Sequence, residues 1–580
     1  MWKVLSKSIR EFKKTSLLAP IYVSVEVVME CLIPFITADL VNKIKDGCTV
    51  DLILKYGLLL FLMSAISLIF GALSGSACAV ASAGLGRNLR KDMFYRIQTY
   101  SFENIDRFST SSLVTRLTTD VTNVQVAYMM IIRTAVRFPF MLIFAFVMSF
   151  IMGGSMSIIF LFVAPVLGVA LFFIIRKVMP LFKHVFKQYD HLNNSVQENI
   201  AAMRVVKSFT REDYEKEKFA DAAHDVAVDF TKAERILALN NPIMQFCLYV
   251  VMVFVLSFGS YTIITSKGLD LNVGQISALM TYSFMILSSL MMLSMVFVMI
   301  TIATESGQRI VEVLEEESTL KNPENAICEV KDGSVDFENV SFKYAKTAHR
   351  WVLSDINLHI KSGETIGIIG GTGSAKSSLI QLIPRLYSAT EGVIKVGGVD
   401  IRQYDLEALR NQVAIVLQKN VLFSGSIKEN LRWGNPSASD EELIEACKLA
   451  QADEFITKLP NGYDTYIEQG GSNVSGGQKQ RLCIARALLK KPEILILDDS
   501  TSAVDTKTDA LIRKAMRDFI PATTKIIIAQ RTASVQDASR IIVMEGGAVN
   551  AIGTHDELMA AGGIYREIYT SQNQAGGGDE

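Results

Sequence analysis

Four stretches of this chain, Tyr56–Gly86, Phe138–Ile175, Ile236–Ser266 and Leu271–Thr304, contain no charged residue. A helix needs about 20 mostly apolar residues to cross the hydrocarbon layer of a membrane, and each stretch is long enough. Phe138–Ile175 has room for two crossings, with Gly153-Gly154-Ser155 as the turn between them. Another crossing starts near Ser16 and runs past Pro34, although Glu26 and Glu30 weaken it. The pattern predicts six spanning helices. A buried helix of a soluble protein imitates one such stretch, not the whole set.

The rest of the composition limits what else the chain can be. Of 580 residues, 50% are hydrophobic and 20% charged, as expected of a membrane part joined to a soluble part. A net charge of -1 supplies no attraction for nucleic acid. The seven cysteines are scattered with no CxxC pair, which argues against a disulfide framework or a zinc site. The N-terminus is basic and its first apolar stretch lacks a cleavage pattern.

Basic residues set the expected orientation. Lys3, Lys7, Arg10, Lys13 and Lys14 precede the first span, and Arg87, Arg90, Lys91, Arg96, Arg107 and Arg116 lie between the second and third. The positive-inside rule places the N-terminus and both long loops in the cytoplasm, and an even number of spans returns the C-terminus there. The long loops, roughly Arg87–Asp120 and Arg176–Arg235, keep a helical apolar period. They are expected to continue the spanning helices and to turn near Ser101–Ser112 and Phe209–Glu215, where they touch a soluble domain.

Hydropathy drops after Ser318, and Asn322-Pro323 marks a linker. The division expected is a six-helix, all-α membrane domain over 1–318, a linker over 319–334 and an α/β domain over 335–575. A disordered tail follows over 576–580. Strand-like runs at Val335–Phe337, Thr365–Ile369, Ile494–Leu497 and Lys525–Ala529 alternate with helical ones, the pattern of a largely parallel sheet.

The sharpest motif is Gly370-Gly371-Thr372-Gly373-Ser374-Ala375-Lys376-Ser377, followed by Ser378. It leaves an apolar strand and opens a helix, the context a phosphate-binding loop requires. Backbone N–H groups surround phosphates, Lys376 adds a point charge, and the Ser377 hydroxyl is a Mg²⁺ ligand. Ala375 stands where the motif has glycine; if that position needs positive φ, its Cβ costs about 1–2 kcal/mol. The run Ile494–Asp499 delivers Asp498 beside the loop, where it holds Mg²⁺ through water. Val474-Ser475-Gly476-Gly477-Gln478 lies between the two.

Together these motifs resemble the ATP-binding cassette (ABC) family, specifically its exporter-type half transporters, over essentially the whole chain. The resemblance implies that Tyr344 stacks on adenine and that Gln418 senses Mg²⁺ and the membrane domain. It implies that Ser475, Gly476, Gly477 and Gln478 close over ATP held by a second chain, while Ser502-Ala503-Val504-Asp505 joins the two ATP domains. It further implies a bacterial plasma-membrane location, membrane lipid as surroundings and a transported substrate.

Two positions depart from the family pattern. Asp499 replaces the glutamate that orients the attacking water, and Gln530 replaces the switch histidine. One methylene withdraws the carboxylate by roughly 1.5 Å, and a misplacement of about 1 Å costs about 100-fold. An amide donates a hydrogen bond but takes up no further proton and carries no positive charge. This chain's own site is therefore expected to bind ATP and hydrolyse it poorly. Its signature is intact, the pattern of one member of heterodimeric multidrug exporters. The alternatives are a homodimeric exporter and an ATP-gated channel or regulatory subunit. Either Arg133, Arg137, Glu26 and Glu30 line a cavity for charged or amphipathic cargo, or the arginines lie on a cytoplasmic extension and the glutamates pair internally; Met285, Met291, Met292 and Met295 form an adaptable apolar surface or ordinary lipid-facing or packing material.

Overall fold

The structure, a computed structural model, describes residues 1–266, 271–345 and 347–575. The tail expected at 576–580 lies outside the described residues. The chain folds as two units: residues 1–99 with 109–316, and residues 100–108 with 317 onward.

The first unit is all helix. Hydrocarbon offers backbone groups no hydrogen-bond partner, so a charge-poor stretch must satisfy its own amides, and a helix does so locally. Among the described residues, five helical runs are long and apolar enough to cross a membrane: Trp2–Lys45, Val50–Gln98, Thr110–Phe182, Glu212–Ser266 and Val273–Glu315. The charge-free stretches predict six. The difference arises in the third run, where Ala135–Gly153 and Ile158–Ala201 abut through the short helical turn Gly154–Ser157. Gly154, at φ +50, is the one residue there outside the helical region, a conformation a side chain would disfavour.

Val50–Gln98 and Ile158–Ala201 each continue without a break beyond their apolar stretch. The second long turn runs through Met203–Ser208 and reverses at Thr210, φ +53, before Glu212–Leu237 returns. The unit's core gathers Phe160, Leu167, Val251, Leu279, Tyr282 and Ile286, and the Tyr282 hydroxyl donates to Cys31 O at 2.8 Å. Outward faces carry exposed Phe61, Leu68, Phe162 and Ile264, as suits a lipid solvent.

The second unit is built around a six-stranded sheet. Its order is Ala548–Gly553, Arg540–Glu545, Thr365–Gly370, Thr524–Ile528, Ile494–Asp498 and Val413–Val416. Only the first pair is antiparallel. The central strands read as continuous apolar runs because both faces are covered, and Ile494–Asp498 and Thr524–Ile528 are buried throughout. A four-stranded antiparallel sheet, beginning with Val335–Phe342, lies beside it. Parallel pairing aligns the C-terminal ends of Thr365–Gly370, Thr524–Ile528 and Ile494–Asp498, and there the motif residues emerge.

Candidate nucleotide site

The strand Thr365–Gly370 ends at a glycine that cannot be replaced: a Cβ on Gly370 would meet Met544 O at 2.2 Å. The loop then turns through Gly373 at φ +81 and Ala375 at φ +68. Ala375 thus sits in the left-handed region without being glycine, so the strain conditional on positive φ is present. The helix Lys376–Leu382 follows. Lys376 Nζ folds back over the loop, donating to Gly370 O and Gly371 O at 2.9 Å each and to Ser374 Oγ at 3.2 Å. Burial pushes its ammonium below the usual lysine range, against the opposing pull of Asp498 and Asp499. An anion entering the loop would restore a counter-charge to this ammonium.

Ser377 Oγ donates to Asp498 Oδ1 at 3.1 Å, so the phosphate loop and the acid strand meet through these two side chains. Burial raises Asp498 above the usual carboxylate range, and the neighbouring Asp499 adds to the rise. Hydroxyl, carboxylate and the Gln418 amide are all oxygen donors. That set fits Mg²⁺, which takes one or two protein carboxylates and completes its shell with phosphate and water. Gln418 also lies close enough to Asp499 to oppose the rise of its pKa.

Asp499 is the most constrained residue of the site. Its backbone is left-handed at φ +48, with its N–H donating to Ile528 O at 3.0 Å. Gln530 Nε2 donates to its Oδ2 at 2.7 Å. Burial raises its pKa, while the two amides, Gln418 and Gln530, and the more distant Lys376 and Arg531 oppose the rise. The two positions that depart from the family pattern are therefore bonded to each other. A further residue closes this group and was not foreseen from the sequence. Gln572, in the last helix, donates to Gln530 O at 2.7 Å and accepts from Thr532 N at 2.9 Å. Only a Gln in a polar C-terminal helix marks it, and no motif surrounds it.

Tyr344 stands at the edge of the loop, 42% exposed, its hydroxyl 2.9 Å from Ser378 Oγ and its ring packed edge-on to Phe342. Ser475–Gln478 lies apart from this group. Ser475 caps the helix Gly476–Leu488 in a reciprocal box, accepting from Gln478 N at 3.3 Å while its own N–H donates to Gln478 Oε1 at 2.9 Å. A Cβ on Gly477 would lie 2.8 Å from Ala503 O. Gln480 completes the contact, donating to Ser502 Oγ at 3.3 Å and accepting from Ala503 N at 3.0 Å. The signature thus packs on 502–505. Among the described residues no side-chain hydrogen bond joins Ser475 or Gln478 to the phosphate loop.

In the spanning unit, Arg137 pairs with both Glu26 and Glu30, at 2.8 Å to Glu30 Oε1. Internal pairing therefore accounts for these three residues; Arg133 lies alongside, near Gly75. A cavity of about 500 Å³ is lined by Met179, Met291, Met292, Met295, Asn240 and Asn241. Met285 is buried in the core instead.

Comparison with known proteins agrees with this geometry. Residues 17–291 match the ABC transporter transmembrane region and residues 353–502 match the ABC transporter family. YfiB of Bacillus subtilis, an uncharacterized ABC transporter ATP-binding protein, is 36% identical over 579 residues, 98% of each chain. YknU of the same organism, similarly described, is 36% identical over 485 residues, covering 83% of this chain and 82% of that one. A bacterial Atm1-family ABC exporter, solved with ATP bound, superposes with a TM-score of 0.82 at 25% identity, over 97% of this chain and 98% of that one.

Proposed function

The chain belongs to the ABC transporter family, and on that premise we propose that it is one subunit of an asymmetric, ATP-driven exporter. Its own phosphate loop holds ATP, and hydrolysis occurs mainly at the loop of a different, partner chain. The observation that carries this reading is the Gln530–Asp499 hydrogen bond. A carboxylate that orients water needs a free oxygen aimed at the phosphate. Asp499 is one methylene short, and its carboxylate is already engaged by the Gln530 amide. Gln530 donates to phosphate but cannot hold a proton.

Lys376 would exchange the carbonyls of Gly370 and Gly371 for phosphate oxygens, and Tyr344 would stack its ring on adenine. Ser377, Asp498 and Gln418 are the residues that would hold Mg²⁺. When bound, that ion neutralises charge on the β- and γ-phosphate oxygens. Ser475, Gly476, Gly477 and Gln478 would cap ATP on the partner, their backbone held rigid by Gln480 and Ala503.

The break at Gly154 makes six crossings of the five apolar runs, with both termini in the cytoplasm by the distribution of basic residues. The methionine-lined cavity suits an apolar or amphipathic cargo. The turn before Glu212 exposes Phe209, a surface suited to the second chain.

The test is ATPase activity of the purified chain alone, then with a half transporter carrying glutamate and histidine at the corresponding positions. Slow turnover alone, rescued by that partner, is expected. Fast turnover by a homodimer of this chain would overturn the asymmetric reading.

A further inference from the structure

The parallel ladder that leads to Gln530 ends before reaching it. Ile528 is the last residue of its strand to pair, opposite Asp498 and Ile368, and Ala529 N donates to Ile368 O at 3.2 Å. Gln530 comes next and is exposed. Its backbone needs a hold that the sheet does not provide.

Gln572 supplies that hold. Its Nε2 donates to Gln530 O at 2.7 Å, and its Oε1 accepts from Thr532 N at 2.9 Å and from Thr532 Oγ1 at 3.0 Å. One side-chain amide therefore pins the residues on both sides of Arg531. The pin is itself firmly mounted. Ile564, Ile568 and Gln572 recur every four residues in the helix Gly563–Ala575 and share one face. Ile564 and Ile568 pack on the apolar core. Tyr565, 1% exposed, has its hydroxyl 2.7 Å from His555 Nδ1. The first two turns seat the helix, and the third presents Gln572.

A glutamine amide has two N–H donors. Gln530 spends one on Asp499 Oδ2. Asp499 holds the position that faces water attacking the terminal phosphate, so the second donor of its partner is placed for that phosphate and not for the inner two. We propose that Gln572 is a positioning residue that aims the Gln530 amide, and that it thereby sets how strongly this site prefers a nucleoside triphosphate to a diphosphate. This rests on the reading of Gln530 as a phosphate donor. The bland alternative is that Gln572 only docks the C-terminal helix. Docking would affect both nucleotides alike, whereas aiming affects only the one with a third phosphate.

The experiment compares AMP-PNP and ADP affinity, with Mg²⁺, for the full chain in nanodiscs. The unmodified protein is set beside Gln572→Met, Gln530→Ala and the double variant. Methionine keeps the length and helical preference of glutamine and removes its bonds to Gln530 and Thr532. Gln530→Ala should weaken AMP-PNP about tenfold, the worth of a hydrogen bond to a charged group, with ADP within about twofold of normal. Gln572→Met should weaken AMP-PNP about fivefold, again with ADP within about twofold. Added to Gln530→Ala it should cost nothing further, because no side chain is left to aim. If Gln572→Met does not fold, Gln572→Glu keeps the acceptor for Thr532, loses the donor to Gln530 O, and is judged by the same criteria. Equal loss of both nucleotides, no loss, or an undiminished loss on top of Gln530→Ala overturns the proposal alone. An unchanged preference for AMP-PNP in Gln530→Ala overturns the reading of Gln530 as a phosphate donor, and the proposal with it.

Discussion

The phosphate-loop end and the signature end of the ATP-binding unit belong to one fold but have kept different things. At the signature, side chains and backbone agree: Ser475 and Gln478 cap each other, Gly477 leaves the room Ala503 needs, and Gln480 holds the contact. At the phosphate loop the backbone keeps its course, with Gly370 pressed on Met544 O and Lys376 curled over the loop. The side chains that would act on water do not follow the pattern, and they bond to each other instead. Binding of phosphate depends largely on backbone amides and one cation, whereas hydrolysis depends on a carboxylate within fractions of an ångström. A site can therefore lose the second and keep the first.

The largest expected effect is at the signature. Gly477→Val places a branched side chain where even a Cβ meets Ala503 O at 2.8 Å, and ATPase activity of the assembled pair should fall about 100-fold. Nucleotide binding at this chain's own loop should be unchanged in the same preparation; equal loss at both would show that the two ends are not independent. On the other side, Asp499→Glu together with Gln530→His should raise turnover of the chain alone by up to about 100-fold, read as phosphate release. Asp499→Glu by itself should gain less, because Gln530 still occupies the carboxylate.

Lys376→Ala should weaken ATP binding at the loop by roughly 10- to 100-fold, as loss of a charge-assisted contact predicts, measured with a fluorescent nucleotide. In the pair it should reduce turnover less than Gly477→Val does. The smallest effect is Ala375→Gly, which relieves a left-handed residue at φ +68. The local gain is about 1 kcal/mol, reduced by the greater freedom of glycine in the unfolded chain. It should appear as a few-fold tighter nucleotide binding or a melting temperature raised by a few degrees at most.

Much of the molecule is written locally. Tyr56–Gly86 and Leu271–Thr304 declare themselves by lacking charge, and helix is the form available to them in lipid. The phosphate loop is legible because eight consecutive residues encode one turn. Even its flaw is legible, since Ala375 occupies a position whose φ can be anticipated from the glycine it replaces. The five apolar runs and the six predicted crossings differ because a helical turn at Gly154–Ser157 interrupts a run without ending it. Composition alone does not register that distinction.

By itself the amino-acid sequence determined which segments are apolar, which eight residues carry the phosphate-loop motif, and which two positions depart from the family pattern, because each is carried by contiguous residues and short-range sterics. Only the tertiary structure decided that Gln530 bonds to Asp499, that Gln572 reaches back 42 residues to hold Gln530, and that Arg137 serves both Glu26 and Glu30. It alone placed 100–108 with a unit that begins more than 200 residues later, through Asn104 and Asp106. These contacts join polar side chains far apart in the chain, and their partners are chosen by where the sheet and helices bring them. No local period or propensity encodes that choice.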